Sequence, residues 1–459
     1  MRFSVSLLLF FSSIRLFAQQ PASSPVQRAL QQTDIEQRGE LLTLPVALQT
    51  ALERNYQIRI TRTQEQIARN DYVPGTVGVF PTITGNWNSN NTLQDIRQTF
   101  LQDLRPPLAL NDVNNRTNVI GVNMNWLVFD GLAMFDTYKR LGEVVRLSEV
   151  NTRANMEATL ADVATGYYDV IRQVQRLIAL RQALDISGDR LELAKANYEV
   201  GTRSKVDYLT AQVDYNADSA ALIAQEQSLR NAKILLNTLL VRDPATEFAV
   251  QDTILVRTDL ALEPLRESLG TNNPQLVAAT LNQRIANLDV RLARSRLLPT
   301  INLTTGYNAT LINNEGGFGV RTGRNIGLTY GLQAAIPIFT GFNNRRLVAN
   351  ARANALVAEY QVADQRLLLD QAMVQTFTQY QNSLTLLNLE VQNYRIALEN
   401  VDIAYERYRV GNSTAVEFRD VQRNAFAAQA RLIDAEFTAK AAEIELLRLS
   451  STITQELKP

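Results

Sequence analysis

The sequence predicts a mixed α+β membrane protein in which each chain adds a few β-strands to a shared barrel and continues into long α-helices. Three observations predict this fold class: a helical pattern of unusual length, a second copy of it nearer the N-terminus, and four alternating segments that precede the helices. The 459 residues include no cysteine and no histidine, and the formal net charge is zero. This charge balance argues against nucleic-acid binding, which requires a basic surface.

The longest helical pattern runs from Gly341 to Leu449 without a proline, and Gly411 is its only internal glycine. Gly411 can adopt the left-handed conformation that ends a helix, so we expect two helices joined by a tight turn there. The segment from Gly341 to Gly411 would span roughly 105 Å as a helix. Apolar residues of the second helix follow the spacing of a helix packed along a narrow seam: Phe418, Val421, Ala425, Ala428, Leu432, Ala435, Ala439, Ala442, Leu446 and Leu449.

The same pattern occurs earlier in the chain, which predicts two internal repeats. The motif Tyr-x-Val-Gly stands at Tyr198–Gly201 and again at Tyr408–Gly411. A seam of the same spacing follows the first motif, and only Asp218 and Gln225 interrupt it with polar side chains. The chain is therefore expected to form two similar helical hairpins with tips near positions 201 and 411.

A difference in length between the two halves indicates where a loop lies. Pro81 and Phe129 are 48 positions apart, whereas the equivalent Pro299 and Phe339 are 40 apart, so the first half carries eight extra residues. Helices packed in register cannot absorb such an insertion, but a loop can at small entropic cost. We expect loops at positions 90–116 and 313–324, with the insertion in the first of them.

Four segments of period two lie upstream of the helical hairpins and are long enough to cross a membrane as tilted strands. One face of each is apolar or aromatic, and the other carries small residues, threonine or asparagine. This division is typical of a wall between lipid and an aqueous lumen. A soluble antiparallel sheet with one buried face is the alternative. Both tryptophans, Trp87 and Trp126, lie in these segments, where interfacial anchors are expected.

The predicted boundaries follow from these patterns. Residues 1–18 have the charged start and apolar run of a secretory signal peptide. An N-terminal extended segment (19–42) follows. Repeat 1 covers 43–240, with strands at about 79–92 and 117–129 and a hairpin at 132–240. After a linker (241–263), repeat 2 covers 264–450, with strands at about 299–312 and 325–339 and a hairpin at 342–450, and a C-terminal tail (451–459) ends the sequence.

Four strands are too few to close a transmembrane barrel, whose smallest examples have about 8 strands. Open strand edges are not tolerated in lipid, because their backbone groups would lack hydrogen bonds. Several copies must therefore share one barrel, with eight strands in a dimer or twelve in a trimer. The pattern predicts a barrel continued by a helical tube, which is a conduit across a cell envelope.

The two-repeat plan and its motifs resemble the TolC family of outer-membrane efflux channels. The resemblance covers about Leu42 to Leu449 and includes the Tyr-x-Val-Gly turns, the residues after them (Val206-Asp207-Tyr208-Leu209 and Val416-Glu417-Phe418) and the Asn273-Pro274 helix start. It implies a homotrimer with a twelve-stranded barrel in the outer membrane of a Gram-negative bacterium and a periplasmic coiled-coil tube.

The resemblance also implies partners and no cofactor. It implies a passive exit duct of a tripartite efflux or type I secretion system, which docks onto a periplasmic adaptor (membrane fusion) protein and an inner-membrane RND, MFS or ABC transporter. The hairpin tips would meet the adaptor, through Val200, Gly201, Thr202, Val410, Gly411 and Asn412.

Acidic rings that narrow the closed tip in this family would correspond here to Glu417 and Asp420, with Asp207 as the single equivalent acid of the first repeat. Glu417 and Asp420 are three positions apart and share one helix face, so three copies would create a cation-attracting constriction. Two solvated surface charges beside a coiled-coil seam are the alternative. An arginine that latches the closed tip in some members is replaced by Ser413, while Arg203 stands in the other repeat.

Other classes of function lack their required residues. No Gly-Lys pair exists, so the chain has no Walker A loop, and the absence of histidine and cysteine removes the commonest catalytic and metal-binding side chains. We therefore expect no enzymatic activity. A periplasmic coiled-coil adaptor or scaffold without a pore is the alternative function, but it leaves the four alternating strands unexplained.

Overall fold

The computed structural model describes residues 39–99, 106–251, 253–316 and 320–456. The predicted signal peptide, residues 1–18, lies outside the described residues, as do Gly317-Phe318-Gly319 and the last three residues of the tail. Within the described ranges, no helix is both long and apolar enough to cross a membrane.

The described helices follow the two-hairpin pattern. Short helices precede each strand pair: α1 (Leu44–Arg54) and α2 (Tyr56–Asp71) in the first half, and α5 (Leu262–Asn272) and α6 (Pro274–Ser295) in the second. The hairpins are α3 (Ala133–Glu199) with α4 (Lys205–Leu239), and α7 (Asn343–Arg409) with α8 (Ala415–Leu449). Both first helices have 67 residues and both second helices have 35. A short helix, α9 (Ile453–Glu456), follows.

Asparagine side chains begin the second short helix in each half. Asn55 Oδ1 accepts hydrogen bonds from the backbone N–H groups of Gln57 (2.9 Å) and Ile58 (3.4 Å). Asn273 Oδ1 does the same for Gln275 (2.9 Å) and Leu276 (3.3 Å). These caps satisfy amides that have no partner within the helix, and they explain why each helix starts directly after its asparagine.

Four long strands form one antiparallel sheet in the order β2–β3–β5–β6: β2 (Thr82–Gln98), β3 (Leu108–Phe129), β5 (Thr300–Asn314) and β6 (Thr322–Ala335). β3 and β5 come from different halves of the chain and pair with each other. β2 and β6 are the edges of the sheet. A second, two-stranded parallel sheet joins β1 (Glu40–Leu41) to β4 (Phe248–Ala249).

The predicted loop at positions 90–116 was wrong, because most of it is strand. β2 continues to Gln98 and β3 starts at Leu108, with pairing up to Gln98↔Leu108. The eight extra residues of the first half therefore lengthen a strand hairpin in addition to its turn. In the linker, Ile254-Leu255-Val256 has the composition typical of a short strand, but it forms none in the structure.

The chain divides into two compact units, which are described separately. The described residues of the helical unit lie in the ranges 39–47, 163–259 and 378–443, and this unit contains both hairpin tips. The described residues of the sheet unit lie in the ranges 48–162, 260–377 and 444–456, and this unit contains the four-stranded sheet with the helices adjacent to it in sequence.

Left-handed backbone conformations recur at equivalent positions of the two halves. Gly131 and Leu132 have φ of +73° and +72°, and Gly341 and Phe342 have +60° and +62°. The same correspondence holds for Gly201 and Gly411 at the tips, and for Val241 and Ser451 after the hairpins. Positive φ is uncommon outside glycine, and here the two halves share it at matched non-glycine positions.

The seam predicted in α8 is largely buried. Phe418, Ala439 and Leu446 have no exposed side-chain surface, and Ala425, Ala428, Ala442 and Leu449 are at most 5% exposed. Near the tip, Phe418 and Ala425 pack with Ile186 of α3 and with Val401, Ala404 and Tyr408 of α7. The seam thus joins the second hairpin to α3 within the helical unit.

Candidate functional site: the hairpin tips and a charged cluster

The two tip turns share one hydrogen-bond arrangement. In the second, Gly411 N–H donates to Tyr408 O (3.1 Å) and Asn412 N–H donates to Arg407 O (2.8 Å). In the first, the equivalent donors are Gly201, bonded to Tyr198 O (3.0 Å), and Thr202, bonded to Asn197 O (2.9 Å). This is the Schellman arrangement, in which a left-handed residue lets the last helical carbonyls find donors. A tight turn leaves the flanking residues at the outermost end of each hairpin.

Valines are exposed at both tips. Val200 and Val410 have 72% and 62% of their surface exposed, and Val206 and Val416 have 69% and 65%. Each pair occupies equivalent positions in the two halves. Exposed apolar residues at matched places on otherwise polar turns are typical of a contact surface.

The three predicted gate acids do not contact one another within the chain. One of them, Glu417, has a hydrogen-bond partner and an ion-pair partner. Glu417 accepts a hydrogen bond from Ser413 Oγ (2.9 Å) and lies 3.3 Å from Arg407 Nη1. Asp420 is exposed, one turn further along α8. Asp207 sits in the first turn of α4, where its N–H donates to Ser204 Oγ (3.2 Å). The compensation of Glu417 by Arg407 was not anticipated from the sequence.

Arg203 contacts the second hairpin. Its guanidinium carbon lies 5.0 Å from the centre of the Tyr408 ring, within cation–π range. Tyr408 is 2% exposed and stacks on Phe418, with ring centres 5.6 Å apart. The first tip therefore reaches the aromatic pair of the second tip through an arginine, although the second repeat has serine at its own equivalent position.

A second group of charges links the hairpins further from the tips. We call it the charged cluster: Arg190 on α3, Asp214 and Asp218 on α4, and Arg419 on α8. Arg419 Nη1 and Nη2 donate to the two carboxylate oxygens of Asp218 (2.8 and 2.7 Å), and Arg419 Nε lies 3.8 Å from Asp214. Arg190 donates to Asp214. The hydrogen bonds to Asp218 raise the pKa of Arg419 above its ordinary value, so its guanidinium stays charged.

The charged cluster is largely shielded from water. The exposed fractions of its side chains are 2% for Arg190, 14% for Arg419, 16% for Asp218 and 24% for Asp214. Paired charges at this depth are costly to separate, because each remaining charge would keep its desolvation penalty. The cluster therefore fixes the side-by-side arrangement of α3, α4 and α8.

Polar residues within the first apolar seam could have predicted this cluster from the sequence. Asp218 and Gln225 are the two residues that interrupt the first seam, and both have partners in the structure. Asp218 is held by Arg419, whereas Gln225 Nε2 donates to the backbone and side-chain oxygens of Gln173 (3.0 and 2.8 Å). Polar residues in an apolar seam predict buried partners, but the identity of those partners depends on another hairpin, distant in sequence.

In the sheet unit, one face of the sheet carries the apolar side chains and the other carries amides and hydroxyls. Trp87 is 73% exposed on the apolar face, and Trp126 Nε1 donates to Val79 O (3.0 Å). On the polar face, Asn123 Nδ2 donates to Asn86 Oδ1 (2.6 Å), and Asn123 Oδ1 accepts from Asn308 (3.1 Å). A neutral row of amides thus crosses three strands.

Among the described residues, no group of three or more Asp and Glu side chains is placed to hold a metal ion.

Comparison with known families gives one match that covers both halves. The profile of the family described as "Outer membrane efflux protein" matches residues 47–241 and 265–451. The break between the two matched segments covers the linker after the first hairpin and the first residues of α5.

Individual relatives are similar at low identity over most of the chain. "Outer membrane protein TolC" of Vibrio cholerae is 25% identical over 318 residues, covering 68% of this chain and 72% of that protein. "Outer membrane efflux protein BepC" of Brucella suis is 22% identical over 417 residues, covering 90% of this chain and 86% of its own.

Solved structures share the fold. A membrane protein from Pseudomonas aeruginosa superposes with a TM-score of 0.75 at 20% identity, covering 89% of this chain and 90% of that chain. The MtrE outer-membrane channel of Neisseria gonorrhoeae, described as an open state, gives a TM-score of 0.71 at 18% identity, covering 89% and 88%.

Proposed function

Because the chain belongs to the outer membrane efflux protein family, we propose that it is the outer-membrane channel of a tripartite efflux or type I secretion system. The two relatives reported above are named as an outer membrane protein and an outer membrane efflux protein, which fits a channel rather than an enzyme. The observation that carries the proposal is the family match to both halves of the chain, including the strand pairs and the hairpins. The protein is accordingly located in the outer membrane, and its helical hairpins extend into the periplasm.

We propose that three copies form one twelve-stranded barrel from two internal repeats per chain. The sheet of one chain has four strands with β2 and β6 as edges, and open edges are not tolerated in lipid. The apolar face would contact lipid, with Trp87 and Trp126 as interfacial anchors, and the polar face with its row of asparagines would line the lumen.

The hairpin tips are the proposed docking site for a periplasmic adaptor protein, which would connect the channel to an inner-membrane RND, MFS or ABC transporter. Exposed Val200, Gly201 and Thr202 on one tip, and Val410, Gly411 and Asn412 on the other, offer two equivalent surfaces per chain. Two such surfaces on each of three copies would present six sites around one axis.

Glu417, Asp420 and Asp207 are the proposed constriction residues. Glu417 is partly neutralised by Arg407, so the exposed Asp420 carries most of the uncompensated negative charge on this turn of α8. Three copies of each acid close to the axis would attract cations and narrow the opening.

The double replacement Glu417→Ala and Asp420→Asn is expected to raise single-channel conductance and lower cation selectivity, because it removes the charges that line the constriction. The measurement is single-channel recording in a planar lipid bilayer. Glu226→Gln, at an exposed position on α4, is the matched loss of one acid and should leave both quantities unchanged. If the double variant conducts and selects as the wild type does, the gate assignment is wrong; if the wild type forms no channels, the proposed function is wrong.

A further inference from the structure

The two unpaired edges of the four-stranded sheet are equivalent to two strands that do pair inside the chain. We infer that β6 of one copy pairs with β2 of the next copy in the same register in which β3 pairs with β5 within one chain. The inference rests on the proposed multi-chain channel and goes beyond it, because it names the residues that meet at the junction. A second copy of this chain is the partner.

The β3–β5 junction supplies the template. Asn123 lies opposite Gly306, Met124 opposite Thr305, and Trp126 opposite Leu303. Asparagine and glycine interlock at this junction: a Cβ atom added at Gly306 would lie 2.2 Å from Asn123 Oδ1, so the glycine makes room for the amide, and Gly121 does the same for its partner Asn308. This is the one place in the described sheet where strands from the two halves meet.

The sequence relates this junction to the edges. Phe129-Asp130-Gly131 at the end of β3 corresponds to Phe339-Thr340-Gly341 beyond the end of β6, and Pro81-Thr82-Ile83 at the start of β2 corresponds to Pro299-Thr300-Ile301 at the start of β5. Carried over residue by residue, the three template pairs become Gln333 opposite Asn88 of the partner subunit, Ala334 opposite Trp87 of the partner subunit, and Ile336 opposite Gly85 of the partner subunit.

The inferred register brings the apolar face of β6 next to the apolar face of β2. The residue numbers were carried over without reference to the faces, so this agreement supports the register. Within the chain, Trp87 pairs with Ile120, Ile120 with Ala309, and Ala309 with Ile326, so these side chains share the apolar face. Ala334 pairs with Ile301, which stands on the same face of β5 as Ala309. A slip by one residue would turn Trp87 toward the polar face.

Side-chain size is also complementary across the inferred junction. Trp87, 73% exposed in the single chain, meets the small Ala334. Ile336, 66% exposed, meets Gly85, around whose Cβ position no described atom lies within 4 Å. Large residues opposite small ones fill a sheet surface without clashes, as the asparagine and glycine pairs do at the template junction.

The turn after the strand gives an observation independent of the strand register. Gly131 packs closely in the chain: a Cβ there would lie 2.6 Å from Ser295 O and 2.8 Å from Leu298 Cβ. Gly341 has the same left-handed conformation, yet no described atom lies within 4 Å of its Cβ position. The first-half equivalent of Leu298 is Phe80, which is 60% exposed. Phe80 of the partner subunit therefore covers Gly341.

Disulfide crosslinking tests the register directly, because the chain contains no cysteine. The test variant carries Gln333→Cys and Asn88→Cys, both on the polar face. Opposed residues on antiparallel strands have Cα atoms about 4.5–5.5 Å apart, within the range of a disulfide. After oxidation of the assembled full-length protein in membranes, we expect a covalent trimer on a denaturing, non-reducing gel, which reduction returns to single chains.

Two matched variants calibrate the result. Asn125→Cys with Thr304→Cys places the pair on observed neighbours within one chain and should oxidise without linking copies. Gln333→Cys with Thr84→Cys shifts one partner by four positions, about 13 Å along a strand, and should not crosslink. The register is overturned if the intrachain pair oxidises while the test pair does not, or if the shifted pair links copies and the test pair fails. A wild-type protein that is not oligomeric in detergent would instead refute the proposed function.

Discussion

Replacing Arg419 by alanine is expected to weaken the attachment of α8 to the first hairpin by about 3–5 kcal/mol, the cost of breaking a buried ion pair from one side. Asp218 would lose both of its guanidinium hydrogen bonds, and Asp214 would retain Arg190 as its partner in the charged cluster. The carboxylate of Asp218, which is 16% exposed in the intact structure, would keep Ser187 as its remaining hydrogen-bond donor.

Native-state hydrogen exchange measures this effect, because local opening of one helical segment has its own free energy. The amides of α8 near Phe418 and of α4 near Asp218 should exchange faster in Arg419→Ala, while those of the sheet should be unaffected. The double variant Arg419→Ala with Asp218→Ala should recover part of the loss, since it removes the uncompensated charge.

Arg181→Ala is the matched control in the first hairpin. Arg181 Nη2 on α3 lies 3.9 Å from Glu226 on α4, and the two side chains are 44% and 46% exposed. Exposed ion pairs contribute about 0–1 kcal/mol, so little change in exchange is expected. Equal effects of Arg419→Ala and Arg181→Ala would show that burial of the charged cluster does not stabilise the hairpins.

Gly131→Ala is expected to destabilise the sheet unit by about 2–4 kcal/mol, from left-handed backbone strain together with overpacking. Its φ is +73°, and the new methyl group would lie 2.6 Å from the backbone oxygen of Ser295. A backbone atom at the end of α6 cannot rotate away as a side chain could. Either the start of α3 or the end of α6 must move.

The measurement for Gly131→Ala is the temperature at which the purified protein in detergent loses its native fold, read from circular dichroism. Gly201→Ala separates strain from crowding, because Gly201 has φ of +75° but no described atom lies within 4 Å of its Cβ position. Its cost should be the conformational part alone, about 1–2 kcal/mol. If both variants melt together, close packing at Gly131 contributes nothing.

The helical hairpins could be predicted from the sequence because their determinants are local. The spacing of apolar residues in α8, the glycines at the tips and the asparagine caps each act within a few residues. The observed ends of α7 and α8, Arg409 and Ala415, agree with the turn expected around Gly411.

The strand ends could not be predicted in the same way. Beyond Asn90 apolar residues are sparse in the first hairpin of the sheet, and Leu93 and Ile96 are three positions apart rather than two, so the alternation that marks a half-buried strand is lost. Pairing continues there through contacts between the two strands, such as Arg116 Nε to Asn91 Oδ1 (2.9 Å) and Asp112 N–H to Asp95 Oδ1 (3.0 Å). These partners are specified by register, which a single strand does not reveal.

The charged residues of the tips could be predicted only in part: the acids could be identified from the sequence, but their partners could not. Glu417 and Asp420 are candidate gate acids because of the family resemblance, but the arginine that compensates Glu417 lies across the turn, at Arg407. The charged cluster joins three helices from both hairpins. Such partners are far apart in the sequence, so no local pattern identifies them. The two polar residues that interrupt the first seam, Asp218 and Gln225, nevertheless indicate where buried hydrogen bonds are needed.

The central claim is that one chain supplies only part of a channel wall, so that several copies complete it. The mass of the particle extracted from the outer membrane in mild detergent tests this claim, with the detergent contribution subtracted by combined light scattering and absorbance. The account predicts a single species of three chains. A stable, folded particle that contains one chain would contradict it.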